Sequence, residues 1–187
     1  MKVSIIGQGY VGLTISAFAA AEHEVVGFDN SQRVVDQLNR GISHIEGVES
    51  EVIARWAKAG RYKATTHGAD IKGSDIVVIA VPTPLTKDRK PDLAFIEAAC
   101  KTIAENIDQP VLVINESTSF PGTVRNFIKP LIERLSANEF DHMYSISPER
   151  VDPGRGDYNQ KNTPRLYAGL TPEASEKTRE FYSSFCD

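Results

Sequence analysis

The chain has 187 residues and a formal net charge of −4, with 41% hydrophobic and 25% charged residues. These values are typical of a globular domain, and they exclude a disordered chain, a collagen-like repeat and a coiled coil. The apolar runs are shorter than the roughly 20 residues of a membrane-spanning helix, and no stripe of basic residues predicts nucleic-acid binding. We therefore expect one domain over residues 1–187, with neither a membrane nor a nucleic acid as partner.

Two features of the sequence predict a reducing, cytoplasmic environment. Lys2–Ile6 runs directly into a glycine-rich turn and leaves no room for the apolar stretch of a signal peptide. The two cysteines, Cys100 and Cys186, are too few for a disulfide framework or a four-ligand zinc site. We expect a cytoplasmic protein with two reduced thiols, Cys100 on a helix face, and no metal site.

Short apolar segments alternate with segments of helical periodicity. Those that resemble parallel strands buried on both faces are rich in Val and Ile: Lys2–Ile6, Glu24–Phe28, Ile76–Ala80 and Val111–Asn115. The helical segments are Val11–Ala21, a stretch marked by Val34, Leu38 and Ile42, and a stretch marked by Phe95, Ile96, Ala99 and Ile103. This alternation predicts an α/β fold of the Rossmann type, with a doubly wound, mostly parallel sheet and helices on both faces.

The remaining segments continue the same pattern. The expected elements are a helix over Val48–Ala59, a strand over Lys63–Thr65, a helix over Thr123–Leu135 that Pro130 kinks or shortens, and strands over Tyr144–Ile146 and Arg165–Ala168. The last helix runs from Pro172 to about Phe185, with Thr171 as its N-cap.

The first strand leads into a glycine turn, Gly7-Gln8-Gly9-Tyr10-Val11-Gly12, which fits the G-x-G-x-x-G pattern of dinucleotide-binding domains. A predicted strand precedes the turn and a predicted helix follows it, as this function requires. Gly7 makes the tight turn, Gly9 lets backbone amides approach a pyrophosphate, and Gly12 lets the helix pack closely on the sheet. We predict that the turn, including Tyr10 and Val11, binds phosphates at the helix N-terminus.

The second predicted strand is followed by Asp29, roughly 20 residues after Gly7, as in NAD-binding domains. Its carboxylate can accept hydrogen bonds from ribose hydroxyls and would repel a 2′-phosphate. We therefore expect NAD rather than NADP as the cofactor. The alternative interpretation is a glycine turn that only packs a βα unit.

Two polar segments follow the next predicted strands, at the sheet edge where open α/β folds bind ligands. Val81-Pro82-Thr83 offers a hydroxyl to the cofactor at the end of one strand. The segment that begins Glu116-Ser117-Thr118 carries four hydroxyls and a carboxylate at the end of the other. The alternative interpretations are prolines that only stop a strand and a solvated turn.

A further polar segment, Ser147–Gly154, follows the strand predicted near Tyr144. Glu149 in this segment can act as a base or orient a water molecule, and Arg150 offers a planar fork for a carboxylate or a phosphate. A solvated turn is again the alternative.

Four motifs occur here in the order and spacing of the UDP-glucose/GDP-mannose dehydrogenase family: KVSIIGQGYVGL, VPTPLTKDRKPDL, ESTSFPGT and SPERVDPG. Over essentially its whole length, the chain resembles the N-terminal, NAD-binding part of that family. Members of the family also carry a helical linker and a second Rossmann-like domain that binds the nucleotide sugar. The resemblance therefore implies a domain of a longer enzyme.

The resemblance implies that the C6 alcohol of a UDP-sugar is oxidised to a carboxylate with two NAD+, through a thiohemiacetal and then a thioester on a cysteine. By motif, Thr83 contacts the cofactor, as do neighbouring Val81, Pro82 and Ser117. Thr118 helps to hold the reactive water and the nicotinamide, and Glu149 acts near the thioester as base or water positioner, with Arg150 also at the substrate.

The family's cysteine lies in a Gly-x-Cys motif, and neither Cys100 nor Cys186 has such surroundings. The resemblance therefore implies that these 187 residues bind NAD without oxidising a UDP-sugar by themselves. It also implies a UDP-sugar bound through the further domain and a homodimer of the full-length protein.

The SPER-x-x-PG motif favours the branch of the family that oxidises UDP-N-acetylhexosamines for capsule or O-antigen over the branch that oxidises UDP-glucose. Two other interpretations stay open. A stand-alone NAD-sensing regulatory module needs only the glycine motif, and the N-domain of a hydroxyacid or 6-phosphogluconate-type dehydrogenase calls for a catalytic lysine on a following helix.

Overall fold

A computed structural model describes residues 1–150 and 161–186, and its strands form one sheet of order β3-β2-β1-β4-β5-β6-β7. The strands are β1 Lys2–Ile6, β2 Glu24–Phe28, β3 Tyr62–Thr65, β4 Ile76–Ile79, β5 Leu112–Asn115, β6 Met143–Ile146 and β7 Ala168–Gly169. All pairs from β3 to β6 are parallel, and β7 is antiparallel to β6. The predicted mostly parallel, doubly wound sheet is therefore confirmed.

The α-helices are α1 Tyr10–Ala19, α2 Gln32–Asn39, α3 Ser50–Lys58, α4 Ala94–Asn106, α5 Lys129–Leu135 and α6 Pro172–Ser183. They cover both faces of the sheet and bury two separate apolar clusters. One cluster contains residues of α1, α2, α3 and α6, and the other contains residues of α4 and α5. Along β4, Val78 joins the first cluster and Val77 the second. Alternate residues of a strand point to opposite faces, so burial on both sides explains the unbroken apolar run.

No helix among the described residues combines the length and the apolarity that crossing a membrane requires.

The predicted helix that included Ile42 is shorter than expected. α2 ends at Asn39, and Gly41 follows with a φ of 74°, a left-handed conformation that ends the helix. Ile42 lies beyond it and is 44% exposed, so its placement on the helix was wrong.

The region around Pro130 also differs from the prediction of one helix over Thr123–Leu135. A π-helical turn, Val124–Ile128, leads directly into α5, and Pro130 lies in the first turn of α5. The α-helix thus begins at Lys129 and is shorter than the predicted Thr123–Leu135, as expected from Pro130, which is tolerated at the start of a helix because it loses no intrahelical hydrogen bond there.

The predicted strand over Arg165–Ala168 is reduced to β7, which pairs with β6 only through Ala168 and Gly169. Arg165 lies outside the strand and forms an ion pair instead. The N-cap of α6 is as predicted, since Thr171 Oγ1 accepts a hydrogen bond from the Ala174 amide at 3.1 Å.

Candidate functional site

A cavity of about 550 Å³ opens at the carboxyl ends of the central strands, within the size range of small-molecule sites. The predicted site residues that line it are Gly7, Gly9, Tyr10, Val11, Asp29, Val81, Pro82, Thr83, Ser117, Thr118 and Glu149. The fold therefore brings the predicted cofactor residues and the two predicted catalytic residues, Thr118 and Glu149, into one space. Gly12 and Arg150 are not among the lining residues.

The glycine turn has three distinct steric environments. Gly7 has a φ of 94°, and a Cβ there would lie 2.3 Å from the Ala80 carbonyl oxygen. A Cβ at Gly12 would lie 1.8 Å from the Gly7 carbonyl oxygen. A Cβ at Gly9 would meet no atom within 4 Å. Gly7 and Gly12 are thus required by packing, whereas Gly9 leaves open space on the cavity wall, which fits a bound pyrophosphate.

The N-terminus of α1 supplies the donors for such a ligand. Its first intrahelical hydrogen bond runs from the Leu13 amide to the Gly9 carbonyl oxygen, at 2.9 Å. The amides of Tyr10 and Val11 precede this bond and carry the partial positive charge of a helix start. Both residues line the cavity, so the geometry suits an anion.

Gln8, between the first two glycines, anchors the turn from beneath and was not singled out from the sequence. The side chain is buried, and its Nε2 donates to the Ile5 carbonyl oxygen at 3.0 Å. Its Oε1 accepts from Tyr62 Oη at 2.8 Å and from Ser16 Oγ at 3.1 Å. Burial raises the pKa of Tyr62, so this phenol stays a donor. A polar residue in the turn was the only available signal, and its partner Tyr62 lies 54 positions away in sequence.

Asp29 is held in place by backbone amides at the end of β2. Its Oδ2 accepts from the Gln8 amide and its Oδ1 from the Ser31 amide, each at 2.9 Å. A carboxylate oxygen can accept more than one hydrogen bond, so both oxygens retain capacity for the hydroxyls of a ribose.

Ser117 ties the end of β5 to the end of β4. Its Oγ accepts from the Val81 amide at 2.9 Å and donates to the Val81 carbonyl oxygen at 2.8 Å. The hydroxyl is therefore engaged with the backbone, while the neighbouring Thr118 is exposed at the cavity. Thr83, after β4, also lines the cavity.

Glu149 lines the cavity, and its Oε1 accepts a hydrogen bond from the Arg150 amide at 2.6 Å. Arg150 itself is exposed and lies outside the lining, so its predicted substrate contact stays a prediction. The rest of this predicted segment, Val151 to Gly154, lies outside the described residues.

A buried ion pair behind the cavity wall was not predicted. Glu116 Oε1 accepts from Arg165 Nη1 at 2.5 Å and from the hydroxyl of Tyr182. Arg165 Nη1 also donates to Ser147 Oγ at 3.0 Å, and the guanidinium lies 4.1 Å from the centroid of the Tyr182 ring. The sequence marks Glu116 only as a carboxylate at a strand end, and no local signal connects it with Arg165.

Burial and the ion pair have opposing effects on the pKa of each partner. Burial raises the pKa of Glu116 to about 7, against the opposing effects of Arg165 and Tyr182. Burial is the largest single effect and lowers the pKa of Arg165, but Glu116, Tyr182, Glu149 and Cys186 together outweigh it, so the net effect is a raised pKa. Arg165 therefore stays charged while Glu116 changes ionisation near neutral pH.

Neither cysteine is placed for chemistry in the cavity. Cys100 is buried on α4, as predicted for a helix face, and burial raises its pKa to about 12. Cys186 is partly buried, and burial raises its pKa as well. Both are absent from the residues that line the cavity.

The sequence analysis did not predict that α4 forms one wall of the cavity. The residues of α4 that line it are Phe95, Ala98, Ala99 and Thr102. Phe95 was predicted to mark the buried stripe of this helix, but it is 42% exposed. It directly precedes the buried Ile96, and adjacent residues do not share a helix face. That spacing was the signal for a second, ligand-facing surface.

Comparison with known proteins gives a match over residues 1–186 to the model of the UDP-glucose/GDP-mannose dehydrogenase family, NAD binding domain. UDP-N-acetyl-D-mannosamine dehydrogenase of Pyrococcus horikoshii is 36% identical, over 99% of this chain and 45% of that protein. NDP-N-acetyl-D-galactosaminuronic acid dehydrogenase of Ralstonia solanacearum is 34% identical, over 98% of this chain and 45% of that protein.

Among solved structures, the UDP-D-ManNAc dehydrogenase of Pyrococcus horikoshii superposes with a TM-score of 0.90 at 35% identity. The superposition covers 100% of this chain and 45% of that one. The chain thus spans less than half the length of these relatives.

Proposed function

Because this chain belongs to the UDP-glucose/GDP-mannose dehydrogenase family and matches its NAD-binding domain, we propose that it is the cofactor half of an NAD-dependent nucleotide-sugar 6-dehydrogenase. The substrate proposed is a UDP-N-acetylhexosamine, whose C6 alcohol is oxidised to a carboxylate. The names of the two relatives described above support this branch, as does the SPER-x-x-PG motif.

The observation that carries the proposal is the joint placement of Asp29, Gly9, Thr118 and Glu149 in one cavity. Asp29 would bind the adenosine ribose, and the open space at Gly9 and the amides of α1 would hold the pyrophosphate. When bound, NAD+ supplies a hydride acceptor. A protein that only sensed NAD would need the first two features and not the others.

Thr118 and Glu149, which follow β5 and β6, have separate roles in this proposal. Thr118, exposed at the cavity, offers a hydroxyl that can hold a water molecule beside the nicotinamide. Glu149 offers a carboxylate that can orient that water or take its proton. Ser117, next to Thr118, holds the end of β5 to Val81 at the end of β4.

The experiment that tests the function is turnover of UDP-N-acetylmannosamine, UDP-N-acetylglucosamine and UDP-glucose by the full-length protein containing this domain, followed by NADH absorbance. We expect turnover of an N-acetylhexosamine. In Glu149→Gln, turnover should fall by roughly 10²- to 10⁴-fold, the usual contribution of a general base. Full activity of this variant would contradict the role of Glu149, and inactivity towards all three sugars would contradict the proposal.

The cofactor preference depends on Asp29. We expect the domain to bind NADH more tightly than NADPH, because the carboxylate bonds to ribose hydroxyls and repels a 2′-phosphate. In Asp29→Ala this preference should be lost, at a cost of about 1.5 to 3 kcal/mol in NADH binding. Calorimetric titration with both cofactors checks the prediction, with Asp36→Ala on the exposed side of α2 as a control. Tighter binding of NADPH by the unmodified domain would contradict it.

A further inference from the structure

The wall of the cavity is acidic. Among the described lining residues, the acidic side chains are Asp29, Glu116 and Glu149, and the lining includes no Lys, Arg or His. Asp29 follows β2, whereas Glu116 and Glu149 follow β5 and β6 at the opposite end. Two of the three carboxylates therefore lie at one end of the cavity, and Glu116 there is paired with Arg165.

The inference rests on the proposed function, which fixes the orientation of the cofactor in this cavity. With the adenosine ribose at Asp29 and the pyrophosphate at Gly9, the nicotinamide lies towards the ends of β4 and β5, since the strand order is β2-β1-β4-β5. β5 lies three strands from β2, about 14 Å at the usual strand spacing. Glu116 is therefore at the nicotinamide end.

The two oxygens of the Glu116 carboxylate differ in their hydrogen-bond partners. Its side chain has 0% exposure, and Oε1 receives both donors, from Arg165 and Tyr182. Oε2 is buried and has no hydrogen-bond partner among the described residues. Glu116 belongs to the cavity wall, whereas Arg165 is not among the lining residues. A buried charge is poorly screened by solvent, so it acts on a ligand in the cavity.

We propose that Glu116 is a specificity-determining residue of the cofactor site, whose buried carboxylate favours NAD+ over NADH. The nicotinamide ring of NAD+ carries a positive charge and that of NADH carries none, so only the oxidised cofactor is attracted. The proposed oxidation of an alcohol to a carboxylate removes four electrons, and each NAD+ accepts two, so two NAD+ are used in turn at this one site. Weaker binding of the reduced cofactor assists its exchange for the second NAD+.

The experiment is a calorimetric titration of the domain and its E116Q variant at pH 8 with NAD+, NADH and ADP-ribose. ADP-ribose keeps the adenosine, the pyrophosphate and the second ribose but has no nicotinamide. In E116Q the affinity for NAD+ should fall by about three- to tenfold, with NADH and ADP-ribose changing less than about twofold. E105Q, which removes an exposed carboxylate of α4, should change none of the three.

A variant that leaves Arg165 without its anion can lose stability. The double variant E116Q/R165Q replaces the ion pair by two neutral amides, and its preference for NAD+ should also fall. An equal loss of all three ligands in both variants would show a purely structural role, and an unchanged ratio of NAD+ to NADH affinity would equally overturn the inference.

The pH dependence of cofactor binding tests the inference in the unmodified domain. Because burial raises the pKa of Glu116 to about 7, the preference for NAD+ should rise about threefold from pH 6 to pH 8 as the carboxylate ionises. The groups around it are Arg165, Tyr182, Cys186 and Glu149, and the pKa values of the first three are raised. E116Q should abolish this pH dependence, and a flat profile in the unmodified domain would overturn the inference.

The same titrations separate this inference from the proposed function. If the unmodified domain binds neither NAD+, NADH nor ADP-ribose, the cofactor site itself is wrong and both proposals fail. If it binds all three and the preference stays constant in the variants and with pH, only the role of Glu116 fails.

Discussion

Replacing Gly9 by Val should abolish NADH binding while the domain stays folded. Gly9 has a φ of −72°, which any residue adopts, and a Cβ there meets no protein atom within 4 Å. The branched side chain would instead occupy the space of the pyrophosphate. We expect the dissociation constant to rise about 100-fold or more, about 2.7 kcal/mol, in a fluorescence titration.

Replacing Gly12 by Val is the matched control, because this glycine has the opposite environment. Its Cβ would lie 1.8 Å from the Gly7 carbonyl oxygen, so α1 would have to move away from the sheet. We expect the free energy of unfolding to fall by about 4 kcal/mol or more, measured by urea denaturation followed by circular dichroism. Gly9→Ala should stay folded and bind NADH with intermediate affinity. Normal NADH binding by Gly9→Val, or normal stability of Gly12→Val, would contradict this division of roles.

The 187-residue chain should bind NAD and yet fail to oxidise any UDP-sugar. The covalent mechanism that the family resemblance implies requires a thiolate beside the sugar C6 and the nicotinamide, and such positioning contributes roughly 7 to 11 kcal/mol to lowering a barrier. Cys100 cannot provide it, because burial raises its pKa to about 12 and it does not line the cavity. Cys186 is also absent from the lining, and burial raises its pKa.

An NADH absorbance assay with UDP-glucose, UDP-N-acetylglucosamine and UDP-N-acetylmannosamine checks this second prediction. The same preparation must bind NADH in a titration, so that inactivity cannot be attributed to misfolded protein. Sustained turnover would mean that either the nucleophile or the chemistry is different. In that case Cys100→Ser and Cys186→Ser would show whether a thiol takes part.

Local patterns were sufficient for the parts of this protein whose causes are local. The bounds of β1 and β2 follow from short apolar runs, and both were predicted to the residue. The glycine turn and Asp29 follow from spacing, because the geometry of one βα unit requires small residues and an acceptor at set positions. Thr171 was identified as a cap from its place before Pro172, and its side chain accepts the expected hydrogen bond.

The predictions from sequence were wrong where an apolar periodicity was overridden by a helix-ending glycine or by a residue that faces the cavity. Val34 and Leu38 predicted a helix that should reach Ile42, but Gly41 ends it through a left-handed conformation. Phe95 matched an apolar periodicity whose other members are buried, yet it lies at the cavity. An apolar residue that faces a ligand and one that faces the core look alike in a sequence, because the hydrophobic effect favours both.

Sequence periodicity and motif spacing thus account for the sheet, the glycine turn and the NAD-binding character of the chain. The Glu116–Arg165 pair and the Gln8–Tyr62 hydrogen bond depend on the tertiary fold, since they join residues 49 and 54 positions apart. Such pairs follow from the order of strands in the sheet and from which side chains it buries together. Burial of Glu116 also raises its pKa, and desolvation of this kind arises only when distant segments pack around the carboxylate.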